Sequence, residues 1–156
     1  VVAERAHALG MRCIAYDPII KESSIAIKGG DVVMRSLSEV LANSQIVSLH
    51  LPLLPETKGL FNQALLDQMQ EGAYLINTAR GGIVDELALA QSLKSGRLGG
   101  AALDVFAVEP AKDLSHFTGV PNLILTPHVA GVTEESNARV STMIAREVNL
   151  FLEKNT

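Results

Sequence analysis

Cysteine, aromatic residues and clustered positive charge are all scarce in this sequence, and each scarcity removes a class of protein. Cys13 is the only cysteine among 156 residues. It excludes an intrachain disulfide and any metal site built on several cysteines, and it suits a reducing, cytoplasmic setting. Tryptophan is missing and aromatics reach only 4%, so the core must be packed with aliphatic side chains. No stretch gathers basic residues between aromatics, and the formal net charge is -4, so no nucleic-acid partner is expected. No apolar run approaches the roughly 18 residues of a membrane span, so no membrane partner is expected either. Four histidines are scattered without metal-ligand spacing, and no metal is assigned.

What the chain does have is 47% hydrophobic residues in a length that suits one domain, residues 1–156. Val1 to Leu9 reads as a helix stopped by Gly10. Arg12 to Tyr16 follows as a strand ending at Asp17-Pro18, and Gly29-Gly30 leads into a brief Val32-Val33 strand. Ser36 and Glu39 have capping-box spacing for a helix through Leu41. Ile46 to Leu51 and Tyr74 to Asn77 are strands of buried type, with a helix over Gln63 to Met69 between them. Asp85 caps a helix to Lys94, and Ala101 to Val105 and Leu123 to Leu125 are the last strands. Thr133 opens a final helix on which Ala138, Met143, Ile144, Val148 and Phe151 share a face.

Strands alternating with short helices imply an α/β fold, a doubly wound parallel sheet of Rossmann type covered on both sides. In a nucleotide-binding sheet of order 3-2-1-4-5-6 the first strand is central and a glycine loop follows it. The chain is expected to begin within the next helix, so that the first strand and the glycine loop precede Val1.

Open parallel sheets bind ligands beyond the carboxyl ends of their strands. Asp17 follows the first visible strand there, and His50 and Pro52 follow the next full one. Thr78 and Arg80 come after the third. Asp104 ends the fourth, with Glu109 beyond it, and His128 follows the fifth. Singly, each has an ordinary reading as a solvated turn charge or a carbonyl-bonding histidine. Together, an arginine, a carboxylate and a histidine meet the needs of 2-keto acid reduction. The arginine grips a carboxylate through two parallel bonds. The histidine exchanges a proton with the hydroxyl, and the carboxylate orients it. Outside this set, Cys13, Met34, Met69 and Met143 read as packing residues, and His7 and His116 as surface ones.

Three runs give these residues a family likeness: Asn77 to Glu86 (NTARGGIVDE), Gly100 to Pro110, and Pro121 to His128 (PNLILTPH). With His50 to Thr57 (HLPLLPET), they resemble the NAD-binding domain of the D-isomer-specific 2-hydroxyacid dehydrogenases, and the phosphoglycerate dehydrogenase branch most closely. The resemblance implies an NAD-dependent oxidoreductase acting on a small D-2-hydroxyacid or 2-keto acid, and a homodimer. It implies Arg80 as binder of the substrate carboxylate, His128 as proton donor and acceptor, and Glu109 as the partner of His128. Asp17 is placed on the adenosine ribose, which favours NAD over NADP. His50, Pro52, Thr78, Ala79, Asp104 and Gly131 are placed along the cofactor, beside Arg80 and His128. Leu51 departs from the small polar residue of many relatives. The same resemblance admits a second reading, an NAD-sensing corepressor in which the domain serves to bind partners. A formate dehydrogenase is disfavoured, because that branch replaces the carboxylate at Glu109 with an amide.

Overall fold

The computed structural model describes residues 1–155. Along the chain run α1 (Val2–Ala8), β1 (Ile14–Ala15), β2 (Ser24–Ile27), β3 (Gly30–Met34), α2 (Leu37–Asn43) and β4 (Ile46–Leu49). They are followed by α3 (Gln63–Leu66), β5 (Tyr74–Asn77), α4 (Glu86–Lys94), β6 (Gly100–Leu103), a 3-10 turn at Ser115–Phe117, β7 (Leu123–Leu125) and α5 (Glu134–Asn155).

Helices start where a side chain takes up the free amides of the first turn. The Ser36 hydroxyl accepts from the Glu39 amide while the Glu39 carboxylate accepts from the Ser36 amide, completing the capping box of α2. The Asp85 carboxylate accepts from Leu87 and Ala88 at the start of α4, and the Thr133 hydroxyl from Ser136 at the start of α5. Asn62 caps α3, which is shorter than its sequence suggests. The Gln68 and Met69 amides bond three residues back instead of four, and that of Gln70 donates to Leu41, so the chain leaves α geometry there.

Four parallel strands lie in the order β4-β5-β6-β7, with Val47 opposite Leu75, Leu75 opposite Ala101 and Ala101 opposite Leu123. Side chains alternate across the sheet. Val47, Leu49, Leu75 and Leu103 therefore face one way, into a core shared with Leu66 of α3 and with Leu89 and Leu93 of α4. The opposite face is not covered as the near-continuous apolar runs suggest: Ile46, Tyr74 and Ile124 are 45%, 51% and 65% exposed. The apolar residues of α5 do not close it, since Met143, Ile144, Val148 and Phe151 are each at least half exposed.

A separate three-stranded sheet has the order β1-β3-β2. β1 and β3 are parallel, whereas β2 and β3 form a hairpin that sequence reading missed. Its two-residue loop ends at Gly29, whose φ of 94° is what the third position of a type II turn requires. Among the described residues β1 pairs only with β3, and β4 only with β5. Two residues of β1 form strand where five were expected, since its ladder to β3 holds only the pairs Ile14–Val33 and Ala15–Met34.

Candidate active site

The side chains singled out in the sequence leave the carboxyl ends of the parallel strands, and buried polar residues shape the turns that carry them. β5 ends at Asn77, which is 1% exposed. Its Oδ1 accepts from the Ala79 amide at 3.0 Å, and its Nδ2 donates to the Arg80 carbonyl at 3.1 Å. The chain thus wraps around Asn77 and turns Thr78 and Arg80 outward. With Ala79 and with His50, Leu51 and Pro52 from the end of β4, they line a cleft of about 370 Å³. The His50 Nε2 lies 3.0 Å from the Ser48 hydroxyl. Arg80 donates through Nη1 to the Ala79 carbonyl. Among the described residues no carboxylate pairs with it, so its planar fork is available to an anion.

Gly81 explains why this turn can approach the next strand. A Cβ there would lie 1.7 Å from the Phe106 carbonyl oxygen, so any side chain would push the loop after β6 away from Arg80.

Asp104 follows β6 and is 3% exposed. Its Oδ1 accepts from the Thr126 hydroxyl at 2.5 Å and the Val129 amide at 2.9 Å, and its Oδ2 from the Ala130 amide at 2.9 Å. Burial pushes its pKa up, but the bonds from Thr126, Ala130 and Val129 and the nearby His128 outweigh that, and it stays below its ordinary value. Its bonds bracket His128, whose φ of 56° is uncommon for a non-glycine residue.

His128 Nδ1 is 2.6 Å from the Glu109 Oε2. An ionised carboxylate only accepts, so Nδ1 carries the proton and Nε2 is left for exchange. The His128 bond, then a bond from the Phe106 amide to Oε1, hold Glu109 below the usual glutamate range. Both side chains stay accessible, at 50% and 34% exposure.

Asp17 and Gly131 stand apart from this group. Asp17 lies beyond β1 in the other sheet, where its Oδ1 accepts from the Ile19 amide at 2.8 Å. Gly131 follows Ala130, and a Cβ on it would meet nothing within 4 Å. One expectation is corrected. His116 is not a surface residue: its side chain is 20% exposed and its Nε2 donates to Glu86 at 2.8 Å. Nothing in the sequence signals a bond spanning 30 residues between two separate elements.

A parallel sheet with its polar groups gathered at the strand ends is the architecture of a dinucleotide-binding α/β domain. The sequence profile described as "D-isomer specific 2-hydroxyacid dehydrogenase, NAD binding domain" matches residues 1–130. The chain belongs to that family. It is 49% identical over 151 residues to the (S)-sulfolactate dehydrogenase of Chromohalobacter salexigens, covering 97% of this chain and 48% of the relative. It is 41% identical over 150 residues to the D-3-phosphoglycerate dehydrogenase of Bacillus subtilis, covering 96% of this chain and 28% of the relative. The crystal structure of D-lactate dehydrogenase from Aquifex aeolicus, complexed with NAD and lactic acid, superposes with a TM-score of 0.82 at 33% identity. That match covers 98% of this chain and 50% of the other. The chain therefore spans half or less of the length of these three relatives. No helix among the described residues is long and apolar enough to cross a membrane.

Proposed function

We propose that the protein is an NAD-dependent dehydrogenase interconverting a small D-2-hydroxyacid and its 2-keto acid, similar to phosphoglycerate dehydrogenase. The observation that carries this reading is the 2.6 Å bond between Glu109 and an exposed His128, at the same sheet edge as an Arg80 without a carboxylate partner.

Arg80 would take the substrate carboxylate in its two-bond fork and polarise the adjacent C2 carbonyl. With Nδ1–H given to Glu109, His128 Nε2 donates the proton to the C2 oxygen in reduction and removes it from the hydroxyl in oxidation. Glu109 stabilises the protonated imidazole and keeps its ring oriented. The nicotinamide, when bound, supplies or accepts the hydride.

The chain's residues suit that cofactor. Asp17 retains carboxylate capacity for a ribose diol beside its bond to Ile19. His50, Pro52, Thr78 and Ala79 line the open cleft that leads to Arg80. Asp104 and Gly131 flank the His128 side of the same edge, with Asp104 acting there first through the turn it holds. The reading also carries a homodimer, by kinship, and a cytoplasmic location, from the single cysteine.

The intact natural protein is expected to oxidise NADH in the presence of small 2-keto acids such as hydroxypyruvate. Arg80→Lys keeps the charge and loses the fork. Its kcat/KM should fall by about 30- to 1,000-fold, the equivalent of roughly 2 to 4 kcal/mol for a charged active-site donor. Near-wild-type kcat/KM in Arg80→Lys would remove Arg80 from the substrate site. A lack of NADH oxidation with every small 2-keto acid tried would overturn the dehydrogenase reading.

A further inference from the structure

Behind the Glu109–His128 pair lies a second carboxylate–histidine pair. Glu86 sits in the first turn of α4 with its side chain only 15% exposed. Its Oε1 accepts from the Ala107 amide at 2.7 Å and its Oε2 from His116 Nε2 at 2.8 Å. The His116 ring rests against Phe117, with centroids 4.2 Å apart, and Phe117 is buried in the core beside α4. Glu86 therefore grips both ends of the 107–116 segment, and Glu109 lies between the two grips.

The peptide unit joining Phe106 to Ala107 shows what this grip controls. Its N–H goes to Glu86. Its carbonyl oxygen lies where a Cβ on Gly81 would stand, next to Arg80 in sequence. The preceding amide, that of Phe106, donates to Glu109 at 2.9 Å. Rotation of this peptide would disturb the hold on Glu109 and the packing against the Arg80 turn together. Two successive amides are divided between two carboxylates, one facing His128 and one facing the core.

We propose that Glu86, bridged to His116, is a positioning residue of the site: it locks the Phe106–Ala107 peptide so that Glu109 stays on His128. The proposal rests on the dehydrogenase reading for its purpose, but its geometry can be tested without turnover. A position error of about 1 Å at reacting groups costs on the order of 100-fold in rate, so a residue that touches no substrate can still matter at this scale.

The test follows the Glu109 carboxyl by NMR in the intact natural protein with 13C-labelled glutamate. In wild type it should titrate below the ordinary glutamate range, because of His128 and the Phe106 amide. Glu86→Ala frees the Ala107 amide and should move the Glu109 titration up toward that range. The charges acting on Glu109, His128 and Asp104, are untouched by the substitution. Glu86→Gln keeps an acceptor for Ala107 and a polar partner for His116, and should leave Glu109 near its wild-type titration. His116→Phe keeps a ring beside Phe117 and deletes the bond. It should give a smaller upward movement, and it serves if Glu86→Ala fails to fold. An unmoved Glu109 titration in folded Glu86→Ala, or in His116→Phe where the first does not fold, overturns the proposal. A wild-type Glu109 that titrates in the ordinary range would break the Glu109–His128 pair, and with it the dehydrogenase reading as well. The two failures are thus distinct.

Discussion

The turn after β5 and the turn at residues 126–130 each hold an exposed functional side chain, Arg80 or His128, over a buried polar one, yet they are built differently. Asn77 is neutral, and its side-chain bonds reach only to Ala79 and Arg80, within three residues. Asp104 is charged, and its bonds reach across 22 to 26 residues to Thr126, Val129 and Ala130. The first turn can form as soon as β5 does. The second requires β6 and β7 to be in register, because donor and acceptor arrive on different strands. The backbone asks for the difference. His128 adopts a left-handed conformation that is strained for a residue with a Cβ, and charge-assisted bonds on either side supply about twice the hold of neutral ones.

Deleting each anchor should therefore have unequal effects. Asp104→Ala leaves three donors without an acceptor in a nearly dry position. With charge-assisted bonds contributing about 1.5–3 kcal/mol each, and less than additively, the loss should be about 4 kcal/mol. Denaturant unfolding of the intact natural protein would show it as a lower midpoint, and a loss under about 1 kcal/mol would mean that the His128 turn holds itself. Asn77→Ala removes two neutral bonds and should cost about 2 kcal/mol. Its amide shift changes should stay near residues 78–80, whereas those of Asp104→Ala should reach Glu109. Equal losses and equally local changes would erase the distinction between the two turns.

A milder perturbation uses acid in place of mutation. Asp104 and Glu109 are both held below their ordinary values in the folded protein. Such groups contribute stability that is fully present above their unfolded pKa, about 4, and is lost as pH falls through the lower folded values. Asn77 does not titrate. As pH is lowered below about 4, the Val129 and Ala130 amide resonances should move while that of Ala79 stays in place. A concerted movement of all three would show global unfolding, and with it that the His128 turn is no weaker in acid than the Arg80 turn.

Local chemistry was legible in the sequence and long-range chemistry was not. Tyr74–Asn77, Glu86–Lys94 and Leu123–Leu125 form as their apolar runs and caps dictate. Strand β2 was missed because Ser24–Ile27 is short and pairs only through its hairpin. What lies against the second face of the sheet was not legible. An apolar run gives the preference of a strand, but it does not say what lies against it. The alignment of polar residues at strand ends could be read from the order of strands alone. The anchors beneath them could not. Asp104 was placed along the cofactor by resemblance, and its grip on the His128 turn depends on register between β6 and β7. Glu86 stood inside a recognised motif without a role, because its partner His116 is 30 residues away.

The smallest effect concerns the charge on Glu109, and it has a sign. A carboxylate bonded to Nδ1–H sits more favourably beside an imidazolium than beside a neutral ring, so the Glu109 charge favours protonated His128. Glu109→Gln retains an acceptor for Nδ1–H and deletes the charge, so it removes that preference. Oxidation of a hydroxyacid needs neutral imidazole as base, so its rising limb against pH should move to lower pH. Reduction of the keto acid needs imidazolium as acid, so its activity should fail earlier as pH rises. Both limbs report one group from opposite directions and must move together. Profiles of kcat/KM against pH in both directions, on the intact natural protein and the variant, decide the matter. If only one limb moves, a different group governs the other. If neither moves, the Glu109 charge does not reach the proton on His128, and the two turns differ in how they are anchored but not in their proton chemistry.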